Sequence, residues 1–179
     1  MKATGFNAWV ARIDSAEHGL CLRLNRAAQR PVPRRIFQVA SRLGNGVIWY
    51  ALLIALPLLY GPTAIWPAFV TGLMSLPGIA LYSWLKRVCV RERPFITHSG
   101  IDKAGAPLDR YSFPSGHTIH AVSFAWQASV HWPELAWVLV PLAALIASSR
   151  VVLGLHYPTD VLAGAAIGAG LAELGLLIA

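Results

Sequence analysis

The chain has 179 residues, of which 56% are apolar and 13% carry a charge, and its mean hydropathy is +0.54. Because soluble domains contain about 25% charged residues, this composition excludes an ordinary soluble domain and predicts an integral membrane protein with a single domain over residues 1–179. The net charge of +7 is compatible with nucleic acid, anionic lipid or a phosphorylated substrate as partner, and the apolar content argues against nucleic acid.

The first predicted element is an amphipathic helix within residues 1–35. Apolar residues recur there at steps of three and four, with arginines and a glutamate between them. The segment is too charged to cross a bilayer, so we expect it to lie at the membrane surface and to end at Pro31 and Pro33. Packing of this helix on the rest of the protein is the alternative, and both arrangements can hold together.

Five apolar segments follow, each approaching the roughly 20 residues that a membrane-spanning helix needs. They are residues 43–60, 63–85, 116–132, 135–148 with its flank, and 161–178. Pro67 and Pro77 are expected to kink the second segment, and Gly164 and Gly168 in the fifth have the small-residue spacing of closely packed helices. The predicted fold is therefore an all-α integral membrane helical bundle of about five transmembrane helices and one interfacial helix.

The order of the spans places three polar clusters on one membrane face. The second span ends and the third begins at the loop of residues 86–115, which carries the clusters 86–94 and 111–118. The fourth span ends and the fifth begins at the cluster 149–160. Since successive spans alternate in direction, these ends and starts all lie on the same side, and we expect the three clusters to meet there.

The first two clusters have residue types that bind phosphate. Lys86 and Arg93 are seven positions apart, about two helical turns, so they can share a helix face, although a basic cap on a membrane helix would look the same. Ser115, Gly116 and His117 stand where a helix starts, and helix N-termini present free N–H groups and a positive dipole end. An ordinary capped turn is the alternative for this second cluster.

The third cluster combines a cation with a histidine and an aspartate. Arg150 is a planar donor that suits phosphate oxygens. His156 and Asp160 are four residues apart, and a carboxylate bonded to one imidazole nitrogen would leave the other free to attack. The alternatives are an interfacial histidine and a helix-start acid favoured by the dipole. Together, the three clusters have the groups that phosphoryl transfer requires.

The three clusters together resemble the signature of the type 2 phosphatidic acid phosphatase family. Its fixed positions are Lys86-x6-Arg93-Pro94, Pro114-Ser115-Gly116-His117 and Ser149-Arg150-x5-His156-x3-Asp160, all present in order. Soluble vanadium haloperoxidases and acid phosphatases share the family's fold. The apolar spans of this chain place the resemblance with the membrane lipid phosphatases.

This resemblance implies a role for each matching side chain. His156 would attack phosphorus and form a phosphohistidine, Asp160 would orient it, and His117 would protonate the leaving oxygen. The implied phosphate-binding groups are Lys86, Arg93, Ser115, the Gly116 N–H and Arg150. His120 and Tyr111 are candidates for the substrate pocket. The family needs no metal or other cofactor, and the sequence has no acidic cluster of the kind that binds magnesium.

The expected activity is hydrolysis of a phosphomonoester or pyrophosphate on a membrane lipid. Candidate substrates are undecaprenyl pyrophosphate, phosphatidylglycerophosphate, phosphatidic acid and lipid A 1-phosphate. A phosphotransferase that passes the phosphate to another lipid would use the same residues. A non-catalytic lipid transporter or scaffold is a third hypothesis, which predicts that a His156→Ala variant keeps its function.

The expected location is the bacterial inner membrane, with several passes and with the lipid phosphate and the bilayer as partners. Oligomeric state is left open. Arginines at positions 23, 26, 30, 34, 35 and 42 lie on the catalytic side under this topology, whereas the opposite turns have no Lys or Arg. The positive-inside rule then predicts a cytoplasmic catalytic face, and a periplasmic face is the alternative.

Overall fold

The structure is a computed structural model that describes the backbone of residues 5–179 and the side chains of residue 13 and residues 16–179. The regular elements in this part of the chain are all helical. They are α1 (Gly5–Asn25), α2 (Pro31–Leu43), α3 (Val47–Tyr60), α4 (Ile65–Leu73), α5 (Ser75–Cys89), α6 (Pro94–Thr97), α7 (Gly116–His131), α8 (Ala136–Val152) and α9 (Pro158–Leu176). The all-α bundle predicted from the sequence is confirmed.

The N-terminal segment forms two helices where the sequence predicted one. The helix α1 ends at Asn25, and Pro31 begins α2, so the prediction that Pro31 and Pro33 end helical structure was wrong. Proline suits the first turn of a helix because the N–H that it lacks has no partner there. The Asn25 side chain donates to the Val152 carbonyl at 2.9 Å and to the Asp102 carbonyl at 3.1 Å, so the end of α1 packs on the bundle.

Within the described residues, three stretches are long and apolar enough to cross a membrane: Pro62–Thr97, Pro133–Val152 and Pro158–Leu176. The pair α2 and α3, which bends by 58° between its two helices, makes a fourth if it counts as one span. The remaining predicted span, α7, has 16 residues, about 24 Å of helix against a hydrocarbon core of about 30 Å. It packs against the other helices, and nine of its residues are buried.

The second predicted span breaks at Met74, between α4 and α5. Pro77 explains the break, because its ring would clash with the Leu73 carbonyl and its missing N–H cannot bond to it. Pro67, by contrast, lies in the first turn of α4, where proline is tolerated, and α4 continues without a break through it.

Close packing of α9 on α7 is achieved through Gly164 and Gly168, as their spacing predicted. A Cβ atom on Gly164 would lie 2.7 Å from the Ser115 carbonyl oxygen, and one on Gly168 would lie 2.5 Å from the Ile119 carbonyl oxygen. Neither approach is possible for a larger residue without moving a backbone. The pair of glycines therefore sets the distance between the helices that begin at the second and third clusters.

Replacing Gly168 by alanine is expected to destabilise the protein by about 1–3 kcal/mol, since the added methyl group forces α9 away from α7. Gly170→Ala is the matched control, because a Cβ atom there meets nothing within 4 Å. That variant should be neutral or slightly stabilising, as alanine favours helices. Thermal unfolding of both variants in one detergent tests this, and an unfolding temperature of Gly168→Ala at or above that of Gly170→Ala would contradict it.

Candidate active site

The three polar clusters meet at one end of the bundle, around a pocket of about 200 Å³. Its polar lining consists of Asn45, Ser75, Lys86, Arg93, Asp109, Gly116, His117, His120, Arg150 and His156. Aromatic and aliphatic side chains, namely Trp49, Tyr50, Ile79, Tyr82, Leu108 and Phe124, form the rest of the wall together with Gly44 and Gly46. A pocket with cations beside an apolar wall suits a phosphate attached to a hydrocarbon chain.

Lys86 and Arg93 converge through a turn and not along one helix face, so that detail of the sequence interpretation was wrong. The helix α5 ends at Cys89, and Val90 takes a left-handed conformation with φ 45°. Arg93 follows in extended conformation at the start of α6. The chain reversal brings Lys86 Nζ and Arg93 Nη2 each to 2.8 Å from Oδ1 of Asp109.

Asp109 was not among the residues predicted from the sequence. It lies on the irregular segment between α6 and α7, and its side chain is 39% exposed. Burial raises the pKa of its carboxyl, but the hydrogen bond and the charges of Lys86 and Arg93 outweigh burial, so the net pKa is below the ordinary value. Asp109 is therefore a carboxylate that neutralises part of the charge of two pocket cations.

Arg93 also contacts the imidazole of His156. Its Nη1 donates to the Leu155 carbonyl at 2.7 Å and lies 3.2 Å from Nε2 of His156. A guanidinium has only donors, so Nε2 is the acceptor, and the proton of the neutral ring is on Nδ1. Burial, followed by the charges of Arg150, Arg93 and Lys86, holds the pKa of His156 well below its ordinary value. The ring is therefore neutral and keeps an unprotonated Nε2.

Asp160 lies next to the other nitrogen of His156, at 3.6 Å between Oδ2 and Nδ1. This separation is longer than a hydrogen bond, so the expected direct bond is not formed in the structure. Oδ2 of Asp160 instead accepts the Tyr157 N–H at 2.8 Å, which completes the first turn of α9. The carboxylate is nonetheless fixed, fully buried, on the Nδ1 side of the ring.

Arg91 and Glu17 hold Asp160 in this place. Neither residue was predicted from the sequence to belong to the site. Arg91 Nη1 donates to Oδ1 of Asp160 at 2.6 Å, and Nη2 donates to Oε2 of Glu17 at 2.9 Å. Glu17 also accepts the Thr159 N–H at 2.6 Å and the Thr159 hydroxyl at 2.7 Å. A carboxylate from α1 thus caps the N-terminus of α9, where anions are favoured by the exposed N–H groups.

The second cluster forms the start of α7, as predicted. Gly116, the first residue of α7, lines the pocket. Ser115 is fully buried and lies outside the pocket lining, and its hydroxyl accepts a hydrogen bond from the Thr118 hydroxyl at 2.9 Å. His117 is bonded through Nε2 to Oδ1 of Asn45 at 2.6 Å, and this amide oxygen requires a proton on Nε2. Asn45 is a further residue that sequence reasoning missed.

The two candidate pocket residues are placed differently. His120 lies one turn after His117 and lines the pocket. The side chain of Tyr111 is not part of the lining, and its contribution is a backbone carbonyl that accepts a hydrogen bond from Lys86 Nζ at 2.9 Å. Tyr111 therefore supports a pocket cation from behind and does not form the wall.

The third cluster is shaped by a tight turn after α8. The Arg150 carbonyl accepts the N–H groups of both Leu155 and His156 at 3.0 Å, which folds residues 150–156 into a loop. Gly154 makes the turn possible, because its φ is +74° and a Cβ there would lie 2.6 Å from the Asp102 carbonyl oxygen. The Arg150 guanidinium, almost fully buried, faces the pocket and donates to the hydroxyl of Ser41 on α2.

The described residues contain no group of three or more His, Cys, Asp or Glu side chains arranged to hold a metal ion. What the pocket does contain is three cations, a helix N-terminus, one imidazole with an unprotonated nitrogen and another with a proton on Nε2. These groups can bind a phosphate, attack it and protonate the group that leaves.

Several known proteins are similar to this chain in sequence or in fold. It is 48% identical over 84 residues to decaprenylphosphoryl-5-phosphoribose phosphatase of Mycolicibacterium smegmatis, covering 45% of this chain and 42% of that protein. It is 29% identical over 117 residues to undecaprenyl-diphosphatase BcrC of Bacillus subtilis, covering 65% of this chain and 60% of that protein. The chain therefore spans less than two thirds of the length of either relative.

The fold matches the crystal structure of Aquifex aeolicus LpxE with a TM-score of 0.70 and 28% identity, over 87% of this chain and 92% of that one. A sequence profile described as the PAP2 superfamily matches residues 63–178, most of the chain. This range contains all three clusters that converge at the pocket, so the shared sequence includes the part of the fold that positions them. The chain belongs to the PAP2 superfamily, and its apolar helices are those of a multi-pass membrane protein.

Proposed function

We propose that this protein is a membrane lipid phosphatase that hydrolyses a terminal phosphate or pyrophosphate of a lipid through a phosphohistidine. The observation that carries the proposal is the pairing of an unprotonated Nε2 on His156 with a proton on Nε2 of His117, beside three cations in one pocket. Phosphoryl transfer needs a nucleophile and an acid on opposite sides of a phosphorus whose oxygens are held by cations.

In the first step, Nε2 of His156 attacks phosphorus while the bond to the leaving oxygen breaks. Lys86, Arg93 and Arg150 hold the phosphate oxygens. The negative charge of the bound phosphate favours the doubly protonated form of His117, which gives its Nε2 proton to the leaving oxygen and becomes a neutral ring with its proton on Nδ1. Arg93 must transfer its hydrogen bond from Nε2 of His156 to the phosphate for the attack to occur. Positive charge then develops on the His156 ring, next to Asp160, whose carboxylate stabilises it from 3.6 Å away.

In the second step, water attacks the phosphohistidine and releases phosphate. His117 has lost its proton in the first step, so its Nε2 can accept one from the water as the P–N bond breaks. The electron pair of that bond returns to Nε2 of His156. Asn45 holds the His117 ring in place before the proton leaves and after it returns, because its amide oxygen accepts a hydrogen bond from the protonated Nε2.

The proposed substrate class is a long-chain polyprenyl lipid that carries a terminal phosphate or diphosphate. Two relatives in the same superfamily are named for polyprenyl-linked substrates, one a decaprenylphosphoryl-5-phosphoribose and the other an undecaprenyl diphosphate. The apolar side of the pocket, with Trp49, Tyr50 and Leu108, can accept the hydrocarbon that follows the phosphate. Only the phosphate needs to reach the buried cations.

Phosphate release from purified lipids tests the proposal. The panel is undecaprenyl pyrophosphate, phosphatidylglycerophosphate, phosphatidic acid and lipid A, each with and without a chelator of divalent cations. We expect release from at least one of these lipids at a rate that the chelator leaves unchanged. Activity abolished by chelation would contradict the mechanism above, and phosphate recovered on a second lipid would identify a phosphotransferase.

We also propose that the pocket faces the cytoplasm of a bacterial cell, on the basis of the six arginines at positions 23–42 on the pocket side. A single cysteine at Ala106, an exposed position in the loop, is compared with one at Thr63, an exposed position at the other end of the bundle. Cys21 and Cys89 are replaced by alanine in both. An impermeant thiol reagent added to intact cells should label only Thr63→Cys, and labelling of Ala106→Cys would contradict a cytoplasmic pocket.

A further inference from the structure

We propose that Asp109 is an internal competitor for the phosphate site: in the free protein its carboxylate binds the phosphate-binding cations, and a phosphate must displace it in order to bind, so that ligands with little affinity for these cations are kept out. This inference rests on the proposed function, since it takes the pocket for a phosphate site. It concerns which phosphates the site accepts at a membrane surface, where most headgroups are phosphodiesters with a single negative charge.

The contact with the cations is direct. A single oxygen, Oδ1 of Asp109, lies 2.8 Å from both Lys86 Nζ and Arg93 Nη2. A carboxylate oxygen between an ammonium and a guanidinium has the position and charge that a phosphate oxygen would take. Among the described residues that line the pocket, Asp109 is the one carboxylate, against the three cations Lys86, Arg93 and Arg150.

The two cations are anchored independently of the Asp109 side chain. Lys86 Nζ also donates to the Tyr111 carbonyl at 2.9 Å, and Arg93 Nη1 donates to the Leu155 carbonyl at 2.7 Å. Their side chains are 9% and 2% exposed, whereas that of Asp109 is 39% exposed. Asp109 is the exposed member of the three, whereas the two cations are buried and held by other hydrogen bonds. Its carboxylate is therefore the side-chain group that can move away.

The Asp109 side chain can leave while its backbone stays. Arg93 Nε donates to the backbone carbonyls of Asp109 and Arg110 at 3.1 and 3.2 Å, so the segment remains attached to Arg93. Rotation about the Cα–Cβ bond alone would turn the carboxylate toward solvent. A rearrangement of the loop is not required for a phosphate to reach the cations.

Charge decides which ligands can win this competition. The low pKa of Asp109 keeps the carboxylate ionised, so it competes with one full negative charge and at the high effective concentration of a group in the same chain. A phosphodiester brings one charge and gains nothing over the carboxylate. A terminal phosphate carries about −1.5 to −2 at neutral pH and has three strong acceptor oxygens, so its attraction to the same cations is larger.

The test compares two small probes on purified full-length protein in a neutral detergent at alkaline pH. Methylphosphonate is then doubly charged and has a P–C bond that a phosphatase cannot hydrolyse, and its monomethyl ester has one charge. The measured quantities are the two dissociation constants. An internal competitor weakens every ligand of the same cations by one common factor, so we expect Asp109→Asn to lower both dissociation constants about tenfold, since removing a charged hydrogen-bond competitor is worth about one decade.

Two control variants define the result. Asp102→Asn removes the same charge from an exposed position in the same loop, outside the pocket lining, and Asp109→Glu keeps the charge; both should keep the wild-type dissociation constants. Dissociation constants that are unchanged in Asp109→Asn would show that the carboxylate does not compete, and higher ones would show that it organises the cations; either result would overturn the inference. If the wild type binds no methylphosphonate, the phosphate site of the proposed function fails as well.

Discussion

Replacing His156 by alanine is expected to lower kcat by about 10⁴-fold or more, because the variant has no atom that can attack phosphorus. Binding of methylphosphonate should change by only a few fold, since Lys86, Arg93 and Arg150 remain. The wild type, stopped with base during turnover of a ³²P-labelled substrate, should contain acid-labile label on the protein, and His156→Ala should contain none. The measurements are steady-state rates and quenched labelling.

His131→Ala is the control for this prediction, since His131 lies at the end of α7 that is remote from the pocket. It should keep the wild-type rate. A His156→Ala variant that retained activity would contradict the nucleophile assignment and would favour a non-catalytic role for the pocket. Loss of activity together with loss of methylphosphonate binding would instead indicate a general collapse of the site.

Replacing Arg91 by alanine is expected to destabilise the protein by about 3–5 kcal/mol, because it leaves the fully buried carboxylate of Asp160 beside that of Glu17 without the guanidinium between them. The same change frees Asp160 from its position next to His156, so kcat should fall as well. Thermal unfolding and steady-state rates, measured in one detergent, test both effects.

Arg87→Ala is the matched control for Arg91→Ala, because Arg87 is an exposed arginine in the last turn of α5. It should leave both stability and rate near wild type. Glu17→Gln removes one charge but keeps an acceptor for the Thr159 N–H, so we expect a smaller loss in the same direction. If Arg91→Ala unfolds at the wild-type temperature, Asp160 is held by its other contacts and the ion pair is not what positions it.

Local signals in the sequence were sufficient for several elements of the site. The helix start at Ser115 and Gly116 was predicted, because small polar residues and glycine act on the backbone within a few positions. Close packing of the last helix on a neighbour followed from the spacing of Gly164 and Gly168, but the sequence did not identify α7 as that neighbour. Convergence of the clusters followed from the order of apolar segments alone.

Elements that depend on distant contacts could not be predicted from local sequence signals. Residues 31–43 were not recognised as a helix of their own, since two prolines near the start resemble a terminator when their position in the first turn is unknown. The course of the chain between Lys86 and Arg93 depends on a left-handed Val90, a conformation that the residue type disfavours and that only the surrounding packing imposes.

The amino-acid sequence by itself determined the membrane bundle, the superfamily resemblance and the three clusters, because composition, apolar period and fixed spacings act over short distances along the chain. The tertiary structure alone decided how those clusters are completed. Asn45 on His117, Asp109 on the pocket cations, and Glu17 with Arg91 on Asp160 join residues 16 to 74 positions apart. Such partners have no local pattern, since a hydrogen bond depends on distance in space and not in sequence.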